Sequence, residues 1–386
     1  MSIFSGHSGH SIHSGHSGHS GHSGHSGHSG HSGHSGHAGF FGDAGSPLQV
    51  DTLITSRDGI VDYWQPPETT PKPLAIGTED ERAKHLERWG PIERASLLHV
   101  DLLTHLSFTT RDERVVVEHL EPNGSTLQRR PLVTVARPDE KTFKEQLKYL
   151  NDYAELRPDR AAEILAQLGH PTPFLASIAF LHPERTRWTL ELLYAAIELA
   201  YYVVMALKHG LACRRPHEYS PQVQPIIPTP RHGTLPSGHA TEAFVAAFVL
   251  CNVISQGAPQ HYGNPGWRDQ LMKQAARIAV NRTVAGLHFP VDSAAGTVLG
   301  LTLGNYFVSR CAEDNAYEAW TFDGKQYHGN PDFDWSEFFR NGRQVEGPGA
   351  FKDKEQPVVP ASSPSVAWLW QEAVKEWQVE AVADSE

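Results

Sequence analysis

Three short segments of this chain hold residues whose types and spacing suit the binding of an oxyanion. The first runs from Lys208 to Arg215-Pro216, the second is Pro236-Ser237-Gly238-His239, and the third runs from Arg282 through His288 to Asp292. Lys208, Arg215 and Arg282 supply three positive charges, and a guanidinium fork matches the geometry of oxyanions at two points. Ser237 can donate its hydroxyl. Gly238 leaves a backbone N–H open to close approach at the start of an apolar helix, where the dipole favours an anion. His239 can give or take a proton. Asp292 follows His288 by four residues, so one helical turn sets its carboxylate against Nδ1–H and leaves Nε2 free to bind or attack. Singly, these pieces have plainer uses: Lys208 and Arg215 as surface charges, Pro-Ser-Gly as a turn and cap, His288 with Asp292 as a structural pair. Their order and joint occurrence carry the reading.

The elements that must position them are helices. Phe143, Leu147 and Leu150 follow the i, i+4, i+7 spacing of one helical face. Asp159 is the expected N-cap of a helix over 160–168 that Gly169 ends. Further helices are expected over 187–208, 237–255, 267–285 and 290–310. The segment 243–251 contains no polar residue, which points to the centre of a bundle. Each segment with chemistry lies at or just beyond a helix end. Upstream, the β-rich runs 114–120 and 126–136 flank Pro122-Asn123-Gly124, a hairpin signal. A short helix over 366–382 is expected in the tail. The fold class is therefore mainly α: a helical bundle core, a small N-terminal β element and an irregular C-terminal tail. The divisions expected are 1–46, a disordered Ser-Gly-His repeat and linker; 47–138, a mixed accessory region; 139–311, the helical core; and 312–386, an acidic extension.

Composition narrows the function. The 386 residues have a net charge of −11, which disfavours nucleic acid as a partner. From 312 onward there are 15 acidic and 6 basic residues. That segment accounts for most of the net charge, and the core is nearly neutral. Three separated cysteines, Cys213, Cys251 and Cys311, suggest neither a disulfide framework nor a zinc site. Residues 5–37 are eleven Ser-Xaa-His triplets, a tract too polar to bury a core and able to bind Ni, Cu or Zn. No signal peptide is recognised. The apolar run 190–207 is interrupted by Glu191 and Glu198, so no transmembrane segment is expected, and the location expected is cytoplasmic or otherwise soluble.

The three segments resemble the superfamily shared by vanadium-dependent haloperoxidases, bacterial class A acid phosphatases and type 2 phosphatidic acid phosphatases. Its pattern is Lys-x6-Arg-Pro, Pro-Ser-Gly-His and Ser-Arg-x5-His-x3-Asp; Asn281 stands here where the pattern has serine. The resemblance implies an all-α bundle of the haloperoxidase/acid phosphatase type. Lys208, Arg215, Ser237, Gly238 and Arg282 would bind the equatorial oxygens of vanadate or phosphate. His288 would be the metal ligand or the nucleophile, His239 the acid–base residue, and Asp292 the residue orienting His288. Within the superfamily, the length of the chain, the absence of multiple spans and of a signal peptide, and His232 five residues before Ser237 favour the peroxidase branch. There His232 would tune bound peroxide and halide. Met205, where fungal examples carry an aromatic side chain, speaks against it. The expected function is a vanadium-dependent haloperoxidase that holds vanadate as cofactor and oxidises halide with hydrogen peroxide. The alternative is a soluble phosphomonoesterase working through a phosphohistidine, without a cofactor, on a phosphate monoester. A second alternative is a non-catalytic metal- or anion-binding protein, and homo-oligomerisation is left open.

Overall fold

A computed structural model describes residues 47–60, 65, 68–70, 72, 76–262, 264–312, 315–327, 331–354 and 356–378. The Ser-Gly-His repeat lies outside the described residues. The chain divides into two units, residues 2–78 and 79–386. The first contains one described helix, α1 (Pro47–Ile60).

The second unit begins with α2 (Glu79–Lys84), α3 (Pro91–Thr104) and three strands, β1 (Leu106–Arg111), β2 (Arg114–Asn123) and β3 (Thr126–Ala136). The helical core follows: α4 (Glu140–Tyr153), α5 (Arg157–Ala166), α6 (Thr172–Ala179), α7 (Arg187–Leu211), α8 (Gly238–Gly257), α9 (Pro265–Val284) and α10 (Pro290–Cys311). After it come β4 (Trp320–Asp323), β5 (Phe339–Arg340), β6 (Arg343–Gln344), β7 (Ala350–Lys352) and α11 (Pro364–Lys375). Asp159 does not cap α5. A 3-10 turn over Ala154–Leu156 leads straight into the helix, and Pro158 occupies its first turn, where the missing N–H costs nothing.

Helices α8 and α10 are buried nearly all round and form the centre of the core. Glycines at 296, 300 and 304 line one face of α10. A Cβ at Gly296 would stand 2.7 Å from the Ser237 carbonyl oxygen, and one at Gly300 2.7 Å from that of Thr241. The backbones therefore approach too closely for any side chain, and this contact sets the start of α8 against the start of α10.

The sheet is larger than a hairpin. Its order is β1-β2-β3-β4-β7, antiparallel except between β3 and β4. The expected irregular tail thus supplies two of five strands. Alternation buries Val115 and Val117 of β2, with Val133 and Val135 of β3. At Gly210, near the end of α7, a Cβ would meet Val115 Cγ2 at 2.5 Å. The sheet therefore buttresses the helix end that carries Lys208. The other end of α7 is capped from the tail: Glu376 accepts hydrogen bonds from the Trp188 and Thr189 N–H groups, both at 2.8 Å, filling two of the donors a helix start leaves open.

Two stretches, Arg187–Tyr219 and Gly238–Gly257, are long and apolar enough to cross a membrane, with mean hydropathy of 1.7 and 1.3. This corrects the expectation of a chain without a transmembrane segment and the cytoplasmic or soluble location drawn from it. Glu191 and Glu198 are too few among the surrounding alanine, leucine, valine and tyrosine to lower the average. The criterion is length and composition, and most of both windows is packed inside the fold.

Replacing Gly300 by valine is expected to destabilise the protein by about 1–3 kcal/mol through overpacking against α8. Thermal unfolding should show a lower midpoint; an unchanged midpoint would mean that the two helices part without cost.

Candidate anion-binding site

Lys208 lies in the last turn of α7, Ser237 caps α8, Arg282 lies in the last turn of α9, and His288 stands two residues before α10. These ends meet on one side of the core. A cavity of about 30 Å³ is lined by Lys208, Arg215, His232, Gly238, His239, Arg282 and His288, with Leu168, Met205, Ile227 and Leu287 among its apolar neighbours. Seven of the nine expected residues thus face one space. Ser237 and Asp292 stand just behind it, both fully buried.

His288 reaches this wall through a tight turn. Gly286 has φ +82°, a conformation that side chains disfavour. Arg157 clamps the turn by donating to the carbonyls of Val284, Gln224 and Val223 at 2.9, 3.0 and 2.9 Å. His288 Nδ1 lies 3.1 Å from Asp292 Oδ2 and 3.1 Å from Thr234 Oγ1, whose hydroxyl also bonds that carboxylate. Asp292 accepts the Phe289 N–H at 2.9 Å as well. This arrangement assigns the proton to Nδ1 and turns the Nε2 lone pair toward the cavity. Burial pushes the His288 imidazole well below its usual pKa, and Arg215 and Lys208 push it the same way, so it is neutral near pH 7. Burial raises the Asp292 carboxyl to about 6, against the opposing pull of its Thr234 and Phe289 hydrogen bonds and of Lys208 and Arg215.

The cations are held differently from one another. Lys208 Nζ donates to the Gly233 and Thr234 carbonyls, both at 2.8 Å, and has a third proton to give. Arg215 spends its donors on the carbonyls of His232, Leu287 and Gly233 at 3.0, 3.1 and 3.3 Å, with Nη1 3.5 Å from His288 Nε2. Arg282 is 1% exposed. Its Nη2 donates to Gln167 Oε1 at 3.0 Å and to the Ile164 carbonyl at 3.3 Å. Its Nε and Nη1 are buried with no acceptor among the described residues. Burial lowers its pKa to about 10, so it stays charged near neutral pH. Two orphaned donors on a buried cation are costly, and an oxyanion in the cavity would satisfy them.

Ser237 N donates to the Asp292 carbonyl at 2.9 Å, tying the second segment to the third. Its Oγ accepts from Ala240 N at 3.4 Å as the helix cap. At Gly238 the nearest protein atom to a built Cβ is 3.7 Å away, so packing does not demand glycine there. His239 Nε2 donates to the Gln167 carbonyl at 3.1 Å, leaving Nδ1 for proton exchange. His232 Nδ1 is 3.2 Å from Arg215 Nη2. Burial, aided by Lys208 and Arg215, lowers its pKa to about 4.

Sequence reading missed Thr234 and Gln167. Thr234 has no signal beyond its closeness to the second segment. Gln167 is 1% exposed and holds two site residues at once: its side chain holds Arg282 and its carbonyl holds His239. Asn281 completes this support. Its Nδ2 donates to Gln167 Oε1 at 2.9 Å and Glu163 Oε1 at 3.0 Å, while its Oδ1 accepts from Arg160 at 2.9 Å. A serine side chain is too short for that three-way bridge, which gives the departure at 281 a structural use. Among the described residues no group of three or more His, Cys, Asp or Glu could hold a metal ion.

Residues 188–315 match the family model of the PAP2 superfamily, in line with the resemblance to type 2 phosphatidic acid phosphatases. Two strains of Mycobacterium tuberculosis have a decaprenylphosphoryl-5-phosphoribose phosphatase that is 28% identical over 142 residues. That alignment covers 36% of this chain and 66% of the relative, just under two thirds of its length. The crystal structure of a transmembrane PAP2 type phosphatidylglycerolphosphate phosphatase from Bacillus subtilis covers 43% of this chain and 84% of its own, at 16% identity and TM-score 0.35. These family and sequence matches correct the expectation of a vanadium haloperoxidase using vanadate, peroxide and halide. The motif is common to both chemistries, and chain length and His232 are too indirect to choose between them.

Replacing Gln167 by methionine keeps the volume but removes the acceptor for Arg282. Orthophosphate binding measured by calorimetry should weaken about 10- to 100-fold, the worth of a charge-assisted hydrogen bond, with helix content unchanged. Unaltered affinity would show that Arg282 needs no such support.

Proposed function

We propose that this chain, whose residues 188–315 match the PAP2 superfamily, hydrolyses phosphate monoesters through a phosphohistidine at His288. The observation that carries the reading is the buried Arg282 with two orphaned donors, set in one cavity with Lys208, Arg215 and a neutral His288. The name of the Mycobacterium relative, a phosphatase of a lipid-linked phosphosugar, supports the same choice. The apolar neighbours Leu168, Met205, Ile227 and Leu287 suit a leaving group with an apolar portion.

In the proposed reaction the phosphoryl group lies against Lys208, Arg215, Arg282 and the Gly238 N–H. The Nε2 lone pair of His288 attacks phosphorus, and the ester P–O bond breaks. His239, neutral with its proton on Nε2, takes the acidic proton of the monoanionic ester at Nδ1 and passes it to the leaving oxygen. Asp292 keeps the Nδ1 proton of His288 in position and offsets the charge that develops on the ring. A water then attacks the phosphohistidine, giving a proton to His239 Nδ1, which hands it to the departing phosphate as the P–N bond breaks. Proton transfer of this kind contributes about 10²–10⁴ to rate.

With p-nitrophenyl phosphate, His288→Ala should abolish turnover and prevent trapping of an acid-labile, alkali-stable phosphoprotein on quenching. Asp292→Asn, which can present an amide proton to Nδ1 and invert the tautomer, should lower kcat by about 10³–10⁴. A His288→Ala protein that still turns over the ester would sink the proposal. Gly238→Ala should keep the thermal midpoint, since a Cβ has room, and lose activity by crowding the phosphoryl oxygens. Full activity in that variant would remove Gly238 from the site.

A further inference from the structure

A second, wider cavity adjoins the candidate site. It measures about 390 Å³ and is lined by residues 212–215, 217–218 and 229–233. Arg215, Pro230 and His232 line both cavities, so the two spaces share a wall. Arg214, His217 and Arg231, around the wider one, are exposed. Neither Arg214 nor Arg231 forms an ion pair or a side-chain hydrogen bond among the described residues. Glu218, the one carboxylate in the lining, already accepts the Arg215 N–H at 2.7 Å. In a chain of net charge −11, two unpaired guanidinium groups beside a buried anion site stand against the general trend. Guanidinium groups so placed are suited to a doubly charged oxyanion, which they can engage by two-point hydrogen bonds.

We propose that this vestibule is a second anion subsite and that the preferred substrates carry a second phosphate beside the one that is hydrolysed. This rests on the phosphatase reading above and extends it. Arg214 and Arg231 bind the retained phosphate, and the shared wall at Pro230–His232 separates the two anionic groups. Neither arginine touches the reacting atoms, so their removal leaves hydrolysis of a simple monoester intact.

The test compares propyl phosphate with bisphosphates of linear diols three to six carbons long, following orthophosphate release at low ionic strength, where exposed charges are least screened. Wild-type protein is expected to favour at least one bisphosphate by tenfold or more in kcat/KM. The Arg214→Ala/Arg231→Ala double variant should lose that preference and keep its rate on propyl phosphate within about twofold. A wild-type protein with no preference, or a double variant that retains it, would overturn the subsite. Calorimetric binding of the same bisphosphates to both proteins gives a readout independent of turnover. If neither ester is hydrolysed, the phosphatase reading fails; a tenfold loss of bisphosphate affinity in the double variant would still uphold the subsite, and equal affinity would reject it.

Discussion

Burying three cations at one end of a helical core is the constraint to which the rest of the site answers. Lys208, Arg215 and Arg282 are each 1–2% exposed, and Asp292 is the fully buried carboxylate beside them. Such an excess of positive charge away from water is unfavourable unless backbone dipoles and a bound anion compensate it. The fold supplies the dipoles. Carbonyls of Gly233, Thr234, His232, Leu287 and Ile164 all turn toward these side chains. Arg215 is nearly satisfied by main chain alone, whereas Arg282 is left short, and that asymmetry directs the remaining demand into the cavity.

Holding this arrangement takes a scaffold on two sides. On one, α8 and α10 touch backbone to backbone through Gly296 and Gly300, which fixes Ser237 against Asp292. On the other, α5 and the residues after it bring Gln167 under Arg282 and His239. Glu163, Asn281 and Arg160 continue this network outward, with Arg277 bound to Glu163 at 2.7 and 2.6 Å. Buried hydrogen-bond networks of this kind fix geometry when their members are satisfied. Met205, Leu168 and Ile227 close the space between the two supports.

How much was legible from sequence follows from the range of each interaction. The helix-end clustering of Lys208, Ser237, Arg282 and His288 could be read because each lies at the boundary of an apolar run. The His288–Asp292 pair could be read because it is a four-residue spacing. Gln167 could not, since it contacts Arg282 from 115 residues away and belongs to no pattern of its own. The pairing of β3 with β4 was hidden for the same reason: nothing in a tail with only four residues of strand at Trp320–Asp323 signals a parallel partner. Asn281 was visible as a departure, but its use depends on three partners brought in by another helix. The apolar character of 190–207 is masked in the sequence by Glu191 and Glu198, two charges among sixteen other residues.

The carboxylate of Glu376 has a consequence in time as well as in space. It completes the first turn of α7, the helix whose last turn carries Lys208, yet it is 188 residues from Trp188, whose N–H it accepts. A ribosome must therefore deliver α8, α9, α10 and the last two strands of the five-stranded sheet before α7 receives its cap. Until then the N-terminal turn of the longest core helix has only solvent to satisfy those donors. Closing so long a loop is a late and slow event in chain assembly. The segment that supplies the cap thus belongs to the same folding unit as the helix it finishes.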